Sequence, residues 1–153
     1  MIGFMKRKVF MLCLISLVSI YFTIITHCGA NTPVLWLDSS SYIGSGVRPL
    51  VTLQFADLNI DSRRKDTVNV TVCSSTDTLG ITLKLEETGV NSGEFTGEFG
   101  IINTKSDNIK KLLKVMCNDT ITVTYNDVNP RTNSSTAYTR SATWKSSTGT
   151  VKL

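Results

Sequence analysis

Past its first thirty residues the chain alternates. Residues 119 to 127 read Asp-Thr-Ile-Thr-Val-Thr-Tyr-Asn-Asp, so Ile121, Val123 and Tyr125 share one face and Thr120, Thr122 and Thr124 the other. A period of two is that of a strand with one side buried. Residues 66 to 72 (Asp-Thr-Val-Asn-Val-Thr-Val) repeat the pattern with Val68, Val70 and Val72 inward, which predicts that the two stretches are partners in one sheet. The same alternation marks strands at 34–37, at 50–55 with Val51, Leu53 and Phe55 inward, and at 81–85 with Ile81, Leu83 and Leu85 inward. Two more fall at 94–101, where Gly97 leaves room for close approach, and at 137–144 with Tyr138, Ala142 and Trp144 on one parity. Trp36 and Trp144 are expected in the core. Only 103–116 departs from the period of two: Ile109, Leu112, Leu113 and Met116 recur at helical spacing behind Asp107, a candidate cap, and predict one short helix.

Seven short strands separated by turn residues, with almost no helix, predict an all-β fold, a seven-stranded antiparallel immunoglobulin-like β-sandwich. In immunoglobulin lettering the strand at 119–127 is F and its look-alike is C.

The N-terminus is of another kind. Lys6, Arg7 and Lys8 precede an apolar run from Val9 to Thr26, followed by Cys28-Gly29-Ala30. This is the order of a secretory signal cleaved after Ala30. The alternatives are an uncleaved membrane anchor, since the run is long for a signal, and a lipid-modified Cys28. Residues 31–145 then form the domain and 146–153 a polar tail.

Without that segment, 13 of the 16 basic residues remain against 12 acidic ones, so the basic balance belongs to export and implies no nucleic-acid partner. The expected location is secreted or cell-surface, with membrane contact only through the N-terminal segment if it is retained.

His27 is the one histidine and lies in the segment expected to be removed. The domain therefore has no imidazole for a Ser-His-Asp or Cys-His site, and an enzyme is not expected. Cys73 and Cys117 are too few soft ligands for zinc. Antiparallel C and F strands would set the end of one beside the start of the other, so Cys73 and Cys117 are a candidate disulfide, with two free thiols as the alternative.

A seven-strand sandwich gathers its B–C, D–E and F–G loops at one pole. Those loops carry Asp57, Asn59 and Asp61, then Glu86, Glu87 and Asn91, then Asp127 and Asn129. Convergent oxygens are what calcium requires, and Asp57, Asn59, Asp61, Glu87 and Asp127 are the candidate ligands. The same residue types also fill turns by bonding their own backbone, with no metal. Asn69, Asn118 and Asn133 each open an Asn-x-Ser/Thr triplet and are candidate glycosylation sites, Asn133 foremost because it lies in a loop.

Ala56-Asp57-Leu58-Asn59, the 66–72 strand, residues 87–97 (Glu-Thr-Gly-Val-Asn-Ser-Gly-Glu-Phe-Thr-Gly) and the 119–127 strand, in this order and spacing, resemble a repeat module of archaeal and bacterial cell-surface and S-layer proteins. The resemblance spans most of 34–144. It differs at Cys117-Asn118, where a glycine turn is usual. It implies a structural role in display, adhesion or lattice building, with other surface proteins or copies of the chain itself as partners. Two further roles fit the residues: a subunit of an extracellular filament joined by β-strand donation through 34–37, and a small secreted calcium-dependent ligand-binding protein.

Overall fold

The computed structural model describes residues 31–44, 46–129 and 131–145, so the expected signal or anchor helix over 1–30 and the tail over 146–153 lie outside the described residues. The strands are β1 (Val34–Leu37), β2 (Ser41–Ile43), β3 (Leu50–Gln54), β4 (Thr67–Ser74), β5 (Ile81–Glu87), β6 (Glu94–Glu98), β7 (Gly100–Ile102), β8 (Leu112–Lys114), β9 (Thr120–Val128) and β10 (Ser135–Lys145). The all-β expectation holds. The two alternating stretches are neighbours, with Thr71 opposite Thr124 and Val72 opposite Val123 in an antiparallel ladder.

Eight strands form one sheet in the order β1-β3-β6-β5-β4-β9-β10-β2. Every pairing in it is antiparallel except β10 with β2, and β7 pairs parallel with β8 in a separate small sheet. The pattern is therefore mixed, and the strands outnumber the seven expected. Three changes account for the excess. The stretch at 94–101 divides at Phe99 into β6 and β7, residues 112–114 of the expected helix form β8, and Ser41–Ile43, outside every expected strand, form β2.

The position of β1 and β2 dictates the shape. They occupy opposite ends of the sheet yet only Asp38, Ser39 and Ser40 separate them. Laid flat, eight strands at ~4.8 Å spacing would put these ends ~34 Å apart. Three linking residues reach no more than ~14 Å. The sheet must curl until its ends meet, and the curl encloses the core. Asp38 fixes the corner: its Oδ1 accepts the Tyr42 hydroxyl at 2.5 Å and the Leu50 N–H at 2.9 Å.

Inside the curl lie Val51, Leu53, Phe95, Leu83, Leu85, Val72, Ile121 and Val123, each fully buried. The inward residues of alternating strands thus became the core as the pattern required. A side chain at Gly97 would meet Leu85 Cδ2 at 2.7 Å and the Lys84 carbonyl oxygen at 3.1 Å, so the bare position lets β6 lie against β5 with Leu85 undisturbed. Trp36 is a correction: it stands outward opposite Thr52 on the terminal strand and is 37% exposed, whereas Trp144 packs on the core.

The helix expected over 107–116 does not form. Asp107 does cap backbone, accepting the N–H groups of Ile109 and Lys110, but the turn closes at once into β8, led by Lys111 at φ 54. Pairing with β7 buries Leu113 completely and leaves Ile109 94% exposed, a better outcome for one apolar residue than an isolated short helix gives four.

Candidate functional site

The loops between β3 and β4 and between β5 and β6 meet at one pole, as expected, and two carboxylates hold them there. Alternation carries β5 through Glu86 and Glu87, so Glu86 faces solvent and Glu87 turns inward, 1% exposed. An ionised carboxylate so placed needs donors. Glu87 Oε1 accepts the N–H groups of Ser92 at 2.6 Å and Gly93 at 2.8 Å, and Oε2 accepts that of Asp66 at 3.1 Å. The N–H of Gly93 above all, with those of Asp66 and Ser92, holds the Glu87 carboxyl below its ordinary range. Asp66 repeats the device one loop over, its Oδ2 accepting Ile60 N–H at 2.6 Å and Asp61 N–H at 2.9 Å. Backbone bonds from Phe55 to Gly93 and from Glu87 to Asp66 complete the joint.

The five candidate calcium ligands are thereby dispersed in role. Glu87 is committed to backbone amides. Asp61 turns to its own loop, bonding the Arg63 N–H at 3.1 Å and pairing with Arg64 at 3.2 Å. Asn59 donates to Asn91 Oδ1 across the joint, while its own Oδ1 is buried without a hydrogen-bond partner. Asp127 lies beside Tyr125. Burial first, then the charge and hydrogen bond of Asp127, push that phenol up to about 12, with Asp57 adding a smaller push. Asp127, expected in a loop, belongs to β9, and it is that strand which reaches the pole, through the Tyr125 ring that meets Phe55 edge-on at 6.2 Å. Among the described residues no group of three or more Asp, Glu, His or Cys converges on one point.

No protein-family model matches the chain, and no curated protein matches it either.

At the other pole is a network that the sequence did not announce. Ser74 Oγ donates to the Lys114 carbonyl at 2.7 Å and accepts Asp77 N–H at 3.0 Å. Asp77 accepts Gly80 N–H at 3.1 Å and the Ser106 hydroxyl, and that hydroxyl above all draws its carboxyl below the ordinary range. Burial pushes Asp119 upward, but the Met116 N–H at 2.8 Å and the Thr76 hydroxyl outweigh it and leave it lowered. Between these residues lies an open cleft of about 340 Å³ floored by Thr76, Asp77, Ser106 and Lys114. The one signal available was the turn composition Ser74-Ser75-Thr76-Asp77, which does not distinguish a network from an ordinary loop.

Cys73 and Cys117 are both free thiols. Cys73 stands on the outward face of β4 opposite Thr122, and Ser75 and Thr120 bond each other beyond it. Cys117 precedes β9 in a turn tied to β10, where Asn118 N–H donates to the Trp144 carbonyl at 3.0 Å. The ladder therefore carries the two thiols to different neighbours. All three candidate glycosylation asparagines are exposed: Asn69 on the outer face of β4, Asn118 and Asn133 in turns at φ 66 and 53.

Proposed function

We propose that the chain is an exported, non-enzymatic immunoglobulin-like β-sandwich that serves as a structural module of a cell surface or envelope, in display, adhesion or lattice contacts. In this reading β1, β3, β6 and β5 make one layer and β4, β9, β10 and β2 the other, with the first strand divided between them. The observation that carries it is the use made of the acidic side chains: Asp38, Asp66, Asp77, Glu87 and Asp119 each accept backbone N–H groups and brace a corner or loop. Such a frame presents fixed loops and a threonine-rich outer face, on which Thr82, Thr71, Thr124 and Thr139 stand in one row across four strands. The resemblance to S-layer modules and the signal-like N-terminus agree with it. Intact mass and N-terminal sequencing of natively produced protein test it. A surface or extracellular chain beginning at Asn31 is expected, and an unprocessed chain confined to the cytosol would overturn it.

Two other readings each have one observation in their favour. Strand donation is favoured by β1, a four-residue terminal strand with Val34 and Trp36 exposed; removing residues 31–38 should then turn a polymer into monomers. Calcium-dependent ligand binding is favoured by the unpartnered Asn59 Oδ1 facing the loop pole. In that case saturating calcium raises the thermal midpoint by roughly 5–10 °C over chelated protein, and an unchanged midpoint removes the reading.

A further inference from the structure

The longest strand, β10, has a partner along only part of its second edge. On one side it pairs with β9 without interruption from Ser135 opposite Val128 to Thr143 opposite Thr120. On the other it meets β2 at Thr143, Trp144 and Lys145 alone. The backbone directions follow from two bonds: Trp144 N–H donates to the Asp119 carbonyl, toward β9, and Thr143 N–H donates to the Ser40 carbonyl, away from it. In a strand whose register is unbroken this alternation continues upstream. Ser135, Ala137, Thr139 and Ser141 therefore aim both N–H and C=O at the edge that β2 does not reach. The nearby terminal strand β1 forms its ladder with β3.

Natural sheets blunt such an edge with proline, lysine, a bulge or a cover. From 135 to 144 there is no proline and a single charge, Arg140, and the pairing with β9 contains no bulge. Ser135, Thr136, Ala137, Thr139, Arg140 and Ser141 are all exposed, so both faces of the strand are open, and β1, which lies close to β10, takes no part in its ladder.

We infer that a second copy of this chain adds its own β10 here, antiparallel, about a two-fold axis at Thr139. Strand parity allows this register: Thr139 faces Thr139 and Ala137 faces Ser141, all residues whose backbone groups point outward, so they exchange N–H···O bonds across the axis. Arg140 then lies opposite Tyr138 on both sides of the axis. The one charge of the strand meets an aromatic face, and the two Arg140 side chains stay apart. An axis at Arg140 would oppose like charges.

The test is the association state of the full chain as isolated from cells, measured by light scattering over a dilution series, and it is independent of where the chain is located. Wild type is expected to be a reversible dimer. Thr139→Pro removes an N–H that β9 does not use, so it should weaken dimerisation at least tenfold while leaving the thermal midpoint close to wild type. Arg140→Pro is the folding control, since its N–H belongs to the β9 ladder and its loss should lower the midpoint. Arg140→Ala should weaken dimerisation several-fold without unfolding. A wild-type chain that stays monomeric throughout, or a Thr139→Pro chain that associates as wild type does, overturns the proposal. Association through residues 1–30 would show itself in the second way.

Discussion

Gly80→Ala is expected to lower the thermal midpoint by roughly 10 °C or more, the largest effect of a methyl group added at any glycine among the described residues. Gly80 closes the turn from β4 to β5 at φ +57, and a Cβ there would stand 2.0 Å from the Val72 carbonyl oxygen and 2.7 Å from Cys73 Cα. Two costs add. An L residue in the left-handed region loses about 1–2 kcal/mol. The contact with backbone must also be relieved by parting β4 from β5, since a carbonyl in a ladder cannot swing aside as a side chain would, and overpacking of this kind costs about 1–3 kcal/mol more. Gly44→Ala separates the two. Gly44 is also left-handed, at φ +93, but nothing lies within 4 Å of its Cβ position, so it should lose only the first cost. Equal midpoints for the two variants in thermal melts would show that the close approach at Gly80 does not hold the turn.

The stretches that could be read from sequence were those where one force dominates. In β4, β5 and β9 a valine, isoleucine or leucine at every second position has one way to be buried, and the ladder of Val72 with Val123 follows from it. Where two forces compete the reading slipped. Asp107 with Ile109, Leu112 and Leu113 satisfies a helix pattern, yet burying Leu113 and Val115 beneath the sheet requires only a turn and three extended residues. The division of the first strand between β1 and β2 was out of reach for a different reason. It rests on the Asp38 carboxylate gripping Tyr42 and Leu50, and no periodicity encodes a corner.

The pole itself was legible because turn residues mark loops, and the curled sheet bonds the β3–β4 loop to the β5–β6 loop. The role of each residue there was not. Asp57, Asn59 and Asp61 carry the spacing that suggests ligands, but the residues that join the loops are Glu87 and Asp66, one at the end of a strand and one just before a strand, where a carboxylate meets the amides of the next loop. The same limit applies to Cys73 and Cys117. Strand adjacency put them near one pole, and only the register of Cys73 against Thr122 shows that they have separate neighbours.

Because Glu87 holds three amides, replacing it changes stability in a way that depends on pH. Glu87→Gln keeps the shape and one oxygen but turns an NH₂ group toward donors that had an acceptor, either Asp66 N–H or those of Ser92 and Gly93. At neutral pH the midpoint is expected to fall by roughly 5–10 °C. The folded-state carboxyl titrates below the ordinary value near 4, so the unfolded chain binds its proton first as pH drops. The stabilisation is accordingly whole above that ordinary value and is lost as pH falls through the folded one. Asp77 and Asp119, also lowered, act in the same direction, so wild type should lose stability throughout this acid range and have no corresponding loss between pH ~6 and ~8 from these groups. The variant retains the slope due to Asp77 and Asp119 but not that of Glu87. The gap between wild type and Glu87→Gln in denaturant melts should therefore be wide at pH 7 and narrow in strong acid, where the wild-type carboxyl carries a proton and resembles the amide. A gap of equal width at both ends would mean that Glu87 braces the loops by its shape alone and that its charge is not what the amides of Gly93, Ser92 and Asp66 hold.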